Sequence, residues 1–119
     1  MGRLREELLE RTERFGDTVL DIVEVLEAAG KSRRVTDQMT GSGTSVGANL
    51  YEADEAISRP DFCKSLGTSL KELNETRYWL RLVERRGWVK AGSTRLVQAE
   101  CAELRKVFGT MLTRSRKPR

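Results

Sequence analysis

The stretch from residue 42 to residue 55 constrains the fold most strongly, because it is rich in glycine and small polar residues and yet has a helical period. It lies within a run of residues whose spacing alternates between four and three, as one face of a helix requires. That run is Met39, Gly43, Val46, Leu50, Ala53 and Ile57. The spacing therefore predicts a helix from Arg33 to Ile57.

Three glycines lie inside this predicted helix, at positions 41, 43 and 47. Each costs about 1 kcal/mol relative to alanine in a helix interior. Close approach of a neighbouring backbone would offset that cost, because Gly43 and Gly47 have the small-xxx-small spacing. A phosphate-binding glycine loop is the competing interpretation, but the sequence has no G-x-x-x-x-G-K-[ST] pattern and no preceding strand.

Three other segments have the same period, so four helices are predicted. They run from about Arg3 to Ala29, from the Ser58 cap to about Arg86, and from Ser93 or Thr94 to Leu112. Their predicted core faces are Leu8, Thr12, Phe15, Val19, Ile22, Leu26 and Ala29; Phe62, Leu66, Ser69, Leu73, Thr76, Leu80 and Val83; and Val97, Cys101, Leu104, Phe108 and Met111. Short connections make sequential helices antiparallel. The prediction is an all-α, up-down-up-down four-helix bundle over residues 1–112, followed by a basic tail over residues 113–119.

Composition restricts the classes of function. The 119 residues suffice for one domain. Histidine is absent, which removes the commonest general base and the usual metal ligand. Cys63 and Cys101 form no C-x-x-C pair and lie on apolar faces, which favours core residues over a disulfide or a nucleophile. We therefore predict a protein that is not an enzyme and that has no metal and no cofactor.

No apolar run approaches the roughly 20 residues that cross a bilayer. The sequence begins Met-Gly-Arg-Leu-Arg-Glu-Glu and has no apolar signal core there. These features predict a cytoplasmic protein without a membrane partner.

The net charge of +4 is concentrated at the C-terminus. Residues 105–119 hold six basic residues and no acid, whereas residues 1–104 hold 16 basic and 18 acidic residues. A cationic tail can bind phosphates or an acidic protein surface, although a solvated terminus is the simpler alternative. The first candidates for nucleic-acid binding are Arg105, Lys106, Arg114, Arg116, Lys117 and Arg119. The second set comes from the end of the third helix: Arg77, Arg81, Arg85 and Arg86.

Three aromatic residues, Tyr51, Tyr78 and Trp79, lie off the predicted core faces. A subunit interface is the favoured explanation, since aromatics and arginines are enriched in interface cores. Stacking on nucleic-acid bases and an ordinary amphipathic surface are the alternatives.

A polar seam is predicted where the small residues of the second helix pack on the third helix. It consists of Ser42, Ser45, Asn49 and Glu52 on one side and Ser65, Thr68, Glu72 and Glu75 on the other. A hairpin turning near residues 58–59 would place Ser45 near Glu72, Asn49 near Thr68, Glu52 near Ser65 and Ser42 near Glu75. We expect hydrogen bonds that set the helix register. Alternatively, the amide and carboxylates ligate Mg²⁺, act as acid/base groups, or contact a ligand or partner.

Several of these residues form an ordered string from Ser42 to Leu80. The string includes Ser-Gly-Thr-Ser-Val-Gly-Ala-Asn from residue 42, Asp61-Phe62, and Glu-Thr-Arg-Tyr-Trp-Leu from residue 75. It resembles a bacterial family of four-helix-bundle proteins whose founding members are encoded in ribosomal-RNA intervening sequences. The resemblance covers about residues 8–112. It places the family's characteristic polar residues at Ser45, Asn49, Glu52, Glu72 and Glu75, consistent with a structural role.

The resemblance implies a bundle that assembles as a ring-like homopentamer and has no established enzyme activity. A distant relative, the accessory variability determinant of diversity-generating retroelements, has the same bundle and pentamer and binds nucleic acid and a reverse transcriptase. The resulting hypothesis is a homo-oligomeric bundle that binds RNA or DNA through basic surface residues, as an accessory to a polymerase or reverse transcriptase. The alternative is a protein-interaction adaptor ring that does not touch nucleic acid.

Overall fold

The computed structural model describes residues 2–116 and confirms the predicted four helices. They are α1 (Glu6–Ala28), α2 (Arg33–Asp54), α3 (Arg59–Arg85) and α4 (Arg95–Arg116), and no strand occurs among the described residues. The bundle is elongated, with extents of 51 × 23 × 20 Å. α2 packs on α1 and α3, and α3 packs on α4, while α1 and α4 touch much less. No helix in the described part of the chain is long and apolar enough to span a membrane.

Local turn chemistry explains where the helices begin and end. Ser58 caps α3, because its hydroxyl accepts the Asp61 N–H at 3.2 Å. The Asp61 carboxylate in turn accepts the Ile57 N–H at 3.1 Å. Gly30 and Gly87 follow α1 and α3 with φ values of 68° and 70°, the left-handed conformation that glycine adopts at helix C-termini.

The predicted core face of α3 is buried at all seven positions. In α1 the core includes Leu9 and Val23, whereas the predicted Leu8 and Ile22 are partly buried and Ala29 is exposed. The first two changes move burial by one residue around the helix, towards the side where the neighbouring helices lie, whereas Ala29 lies just past the end of α1.

The ends of α2 and α4 also differ from the prediction. α2 stops at Asp54, so Ile57 falls in the connection and is 91% exposed, while Ala56 is buried instead. α4 continues to Arg116, four residues past the predicted end of the bundle, and Leu112 is more deeply buried than Met111. The first part of the predicted tail is therefore helical.

Two glycines of α2, Gly43 and Gly47, allow close helix packing, but their neighbour is α1 and not α3 as predicted, and a Cβ added at Gly41 would have no neighbour within 4 Å. A Cβ added at Gly43 would lie 2.6 Å from Cγ1 of Val19, and one at Gly47 would lie 3.2 Å from the Thr12 hydroxyl. A contact this short leaves no room for a methyl group at position 43. The small residues therefore fix the separation of α1 and α2.

Candidate nucleic-acid interface

The hydrogen bonds between α2 and α3 involve hydroxyls on the core faces. Ser69 donates to the Val46 carbonyl at 2.6 Å, and the hydroxyls of Thr76 and Ser42 share a hydrogen bond of 3.0 Å. All three hydroxyl residues are buried. These bonds confine the register of the hairpin to one that places Ser42 beside Thr76, one residue from the predicted Glu75.

The other predicted seam pairs, Ser45–Glu72, Asn49–Thr68 and Glu52–Ser65, are not hydrogen-bonded to each other in the described part of the chain. Instead, the Asn49 amide donates to the Ser45 carbonyl at 2.9 Å and the Thr68 hydroxyl donates to the Lys64 carbonyl at 3.0 Å. Short polar side chains in a helix satisfy themselves in this way, on the carbonyl four residues earlier. Local bonding therefore replaces the predicted bonds across the interface.

The three carboxylates of the predicted seam lie near the surface. Glu52 is exposed, and Glu72 and Glu75 are half-buried. Glu75 accepts a hydrogen bond of 3.1 Å from the indole N–H of Trp79. Within residues 2–116 there is no group of three or more His, Cys, Asp or Glu side chains with the geometry to hold a metal ion.

Three adjoining depressions cross the surface formed by α3 and α4. The first, of about 250 Å³, is lined by Asn74, Arg77, Tyr78, Arg81 and Arg85. The second, of about 490 Å³, is lined by Leu70, Lys71, Asn74, Glu75 and Arg105. The third, of about 510 Å³, is lined by Arg105, Lys106, Gly109, Thr110, Thr113 and Arg114. Because Asn74 and Arg105 are each shared by two depressions, the three form one continuous surface, which we call the α3–α4 groove.

The α3–α4 groove is strongly cationic. Seven basic side chains line it against one carboxylate, that of Glu75. Within the described residues only one of the seven, Lys106, makes an ion pair, and its 3.9 Å contact with Glu103 is solvent-exposed. Arg77 is held by the Asn74 side-chain oxygen at 3.3 Å. The groove therefore presents positive charge that the protein itself does not neutralise.

The groove joins the two sets of basic residues that sequence reasoning kept apart. Arg86 and Arg116 are exposed at the ends of α3 and α4 and do not line it, and Lys117 and Arg119 lie outside the described residues. Sequence reasoning missed Lys71, Asn74 and the two threonines of α4. The α3 residues of the groove could have been identified from their spacing in the sequence. Residues 71, 74, 78, 81 and 85 follow a helical period and therefore lie together on the outer side of α3.

Aromatic side chains lie at one end of the groove. The Tyr78 side chain is 55% exposed, and its ring meets the Trp79 ring edge-to-face with centroids 5.0 Å apart. Trp79 is half-buried against the core. Tyr51 lies on the other side of the bundle, where its hydroxyl bonds to the Glu13 carboxylate and this bond raises the pKa of Tyr51 to about 12.

The outer surface of α1, a helix that packs on α2 and α4 but not on α3, carries mostly acidic side chains, with Arg14 as an exposed exception. Eight carboxylates of α1 are exposed: Glu6, Glu7, Glu10, Glu13, Asp17, Asp21, Glu24 and Glu27. A shallow depression of about 240 Å³ lies between α1 and α2, with Gly16 and Gly47 among its lining residues and Glu13, Asp17 and Tyr51 around it. The α1 face is therefore predominantly negative, in contrast to the positive α3–α4 groove.

Neither cysteine lines the α3–α4 groove. Cys101 is buried, and its thiol donates to the Leu73 carbonyl at 3.3 Å. Burial raises the pKa of the Cys101 thiol to about 11, so the thiolate is scarce at neutral pH. Cys63 is half-buried, and neither cysteine forms a disulfide.

Known proteins resemble this chain over most of its length. Residues 7–110 match the family described as 23S rRNA-intervening sequence protein. The crystal structure of a protein with unknown function from the S23 ribosomal protein family of Bacteroides thetaiotaomicron VPI-5482 has a TM-score of 0.83 and 31% identity, covering 87% of this chain and 96% of that one. None of the curated proteins matches. The helices, their packing and the family match lead to one conclusion: this chain belongs to the 23S rRNA-intervening sequence protein family.

Proposed function

We propose that this protein is a non-enzymatic bundle that binds nucleic acid through the α3–α4 groove. The observation that carries the proposal is the row of seven basic side chains that lines the groove, of which only Lys106 makes an ion pair within the described residues. Basic side chains placed along one surface bind a phosphate backbone and release its counterions. The acidic α1 face would repel the same backbone, so binding is confined to one side of the bundle.

The dimensions of the groove suit several phosphates. Lys71 and Arg85 are separated along α3 by about 21 Å, at 1.5 Å per residue. Duplex DNA carries one charge per 3.4 Å on each strand, so this length matches about six phosphates. If all seven groove cations contact phosphates of a single strand, the logarithm of the binding constant should fall against the logarithm of salt concentration with a slope of roughly −5.

The experiment compares two triple variants with the same change in net charge. The groove variant carries Arg105→Gln, Lys106→Gln and Arg114→Gln, and the control carries Arg14→Gln, Arg33→Gln and Arg34→Gln at exposed positions outside the groove. Fluorescence anisotropy with labelled RNA and DNA should show a loss of at least tenfold and a salt slope smaller by about 2 for the groove variant. The control should stay within about twofold. Equal losses in both variants would mean that net charge, and not the groove, determines binding.

The basic tail is tested separately, by comparing the full chain with one that ends at residue 112. That truncation removes the last helical turn of α4 together with Arg114, Arg116, Lys117 and Arg119. Weaker binding and a smaller salt slope are expected. Equal and salt-insensitive binding by both proteins would exclude the tail from the interface.

We further propose that the chain assembles as a homo-oligomeric ring, with the pentamer that the family resemblance implies. The α1–α2 surface is the candidate subunit contact, since small residues allow close approach and Tyr51 is 44% exposed there. Contact at this surface would leave the α3–α4 groove open. Native mass spectrometry should give five times the 13.5 kDa of one chain. Ala48→Arg should reduce this mass without weakening the binding of nucleic acid to the α3–α4 groove.

A protein-interaction adaptor is the second candidate function, and the acidic α1 face favours it because such a face suits a basic protein surface. Under the accessory hypothesis the partner is a polymerase or a reverse transcriptase. Affinity purification discriminates the two functions. Nucleic acid that co-purifies without a protein partner supports the groove, whereas a protein partner that survives nuclease treatment and is lost on charge reversal of α1 supports the adaptor.

A further inference from the structure

We propose that the α3–α4 groove binds single-stranded nucleic acid and that Tyr78 is the platform on which a base stacks. This inference rests on the proposed function and adds the class of ligand. A single strand can splay out a base and offer its face to an aromatic ring, whereas the bases of a duplex are paired and stacked on each other.

The Tyr78 ring is both accessible and held in place. More than half of the side chain is exposed, at 55%. The Trp79 ring supports it edge-to-face at 5.0 Å with an interplanar angle of 75°. Trp79 is itself fixed, because its indole N–H donates to the Glu75 carboxylate at 3.1 Å and its ring packs against the core. The contacts from Glu75 to Trp79 and from Trp79 to Tyr78 therefore hold the Tyr78 ring in place before a base binds. Glu75 acts as a positioning residue.

Cations surround this ring. Arg77, Arg81 and Arg85 line the same depression as Tyr78, and Arg77 is oriented by its 3.3 Å hydrogen bond to Asn74. A base on the ring would bring the flanking phosphates within reach of these guanidinium groups. Stacking rings set among backbone-tracking cations are the general arrangement for binding single strands without sequence preference.

The experiment measures anisotropy with three labelled probes of equal length: oligo-dT, oligo-U and a DNA duplex. Tyr78→Ala should weaken binding of both single strands roughly tenfold, the loss expected for one stacked base. Duplex binding should change less than about twofold, because the paired bases of a duplex do not stack on the Tyr78 ring. Tyr78→Phe keeps the ring and should bind like the wild type. The oligo-dT and oligo-U results show whether the stacked strand is DNA, RNA or either.

Two further variants test the positioning role of Glu75. Glu75→Gln and Glu75→Ala remove the same charge, but only glutamine retains an oxygen that accepts the Trp79 N–H. Glutamine should preserve single-strand binding relative to duplex binding, and alanine should reduce it. A 2-aminopurine base placed in the single strand reports stacking directly, through quenching that Tyr78→Ala and Glu75→Ala should diminish.

The outcomes separate this inference from the proposed function. If Tyr78→Ala changes neither probe class, or weakens single strands and duplex equally, base stacking on Tyr78 is refuted while groove binding stands. If the wild-type protein binds none of the probes, both proposals fail.

Discussion

Replacing Gly43 with alanine is expected to destabilise the bundle, whereas the same replacement at Gly41 is expected to stabilise it. A Cβ at position 43 would lie 2.6 Å from Cγ1 and 2.9 Å from Cβ of Val19. Val19 is fully buried in α1, and a valine in a helix has one strongly preferred rotamer. Because the side chain cannot turn away, α1 itself must move. A Cβ at position 41 meets no atom within 4 Å.

The magnitude follows from two opposing terms. An extra methyl group in a packed core costs 1–3 kcal/mol, and the short distances to Val19 place Gly43→Ala near about 3 kcal/mol. Alanine returns about 1 kcal/mol of helix propensity at either position. The free energy of unfolding should therefore fall by about 2 kcal/mol for Gly43→Ala and rise by about 1 kcal/mol for Gly41→Ala. The difference between the variants isolates the steric term, since both carry the same propensity gain.

Urea unfolding followed by far-UV circular dichroism measures these changes, at one fixed protein concentration because subunit association would add stability. A double variant tests the mechanism. Val19→Ala removes the atoms that the new Cβ meets, so Val19→Ala with Gly43→Ala should be less destabilised than the sum of the single changes. If Gly43→Ala were as stable as Gly41→Ala, close packing of α1 on α2 would be refuted as the reason for the glycine.

Three other predictions concern single contacts. Glu100 accepts two hydrogen bonds from Arg11, at 2.9 and 2.7 Å, across the sparse α1–α4 contact. Glu100→Gln should cost about 1 kcal/mol, whereas Glu103→Gln should cost less than about 0.5 kcal/mol because that carboxylate is exposed; equal losses in urea titrations would contradict the structure. With its pKa raised to about 11, Cys101 should resist thiol reagents until the protein unfolds, with the other cysteine as the internal control. Since the unfolded thiol loses its proton first, this group's contribution to stability should fall as the pH rises from about 9 to 11, and Cys101→Ala should lessen that fall. Finally, Ser58→Ala removes the α3 cap and should cost about 1 kcal/mol; an unchanged urea midpoint would show that the cap is dispensable.

The third helix shows how much of the fold was predictable. Its start after Ser58 and its end before Gly87 depend on residues within one turn, and its core face was predicted correctly at all seven positions. The first helix was less certain because neighbouring positions, such as Leu8 and Leu9, are both apolar. Which of them is buried depends on where the neighbouring helices lie, and no local signal contains that information.

The candidate site divides in the same way. Sequence reasoning identified arginines on the third helix and basic residues on the fourth, but their union into one groove requires α3 and α4 to lie side by side. The predicted seam carboxylates illustrate the opposite case. Their helical spacing in the sequence was identified correctly. However, Glu75 accepts a hydrogen bond from Trp79 on its own helix, and only the side-chain geometry reveals this contact.

The helical period, the capping residues and the glycines that end helices determined the number, order and approximate bounds of the four helices. Each of these signals acts within one or two turns of chain. Charge counting also determined that the C-terminal part is cationic. Only the tertiary structure decided that Gly43 and Gly47 face α1, that basic residues of α3 and α4 line one groove, and that Tyr78 lies among arginines. These features depend on contacts between residues far apart in sequence, where packing and not local preference selects the neighbour.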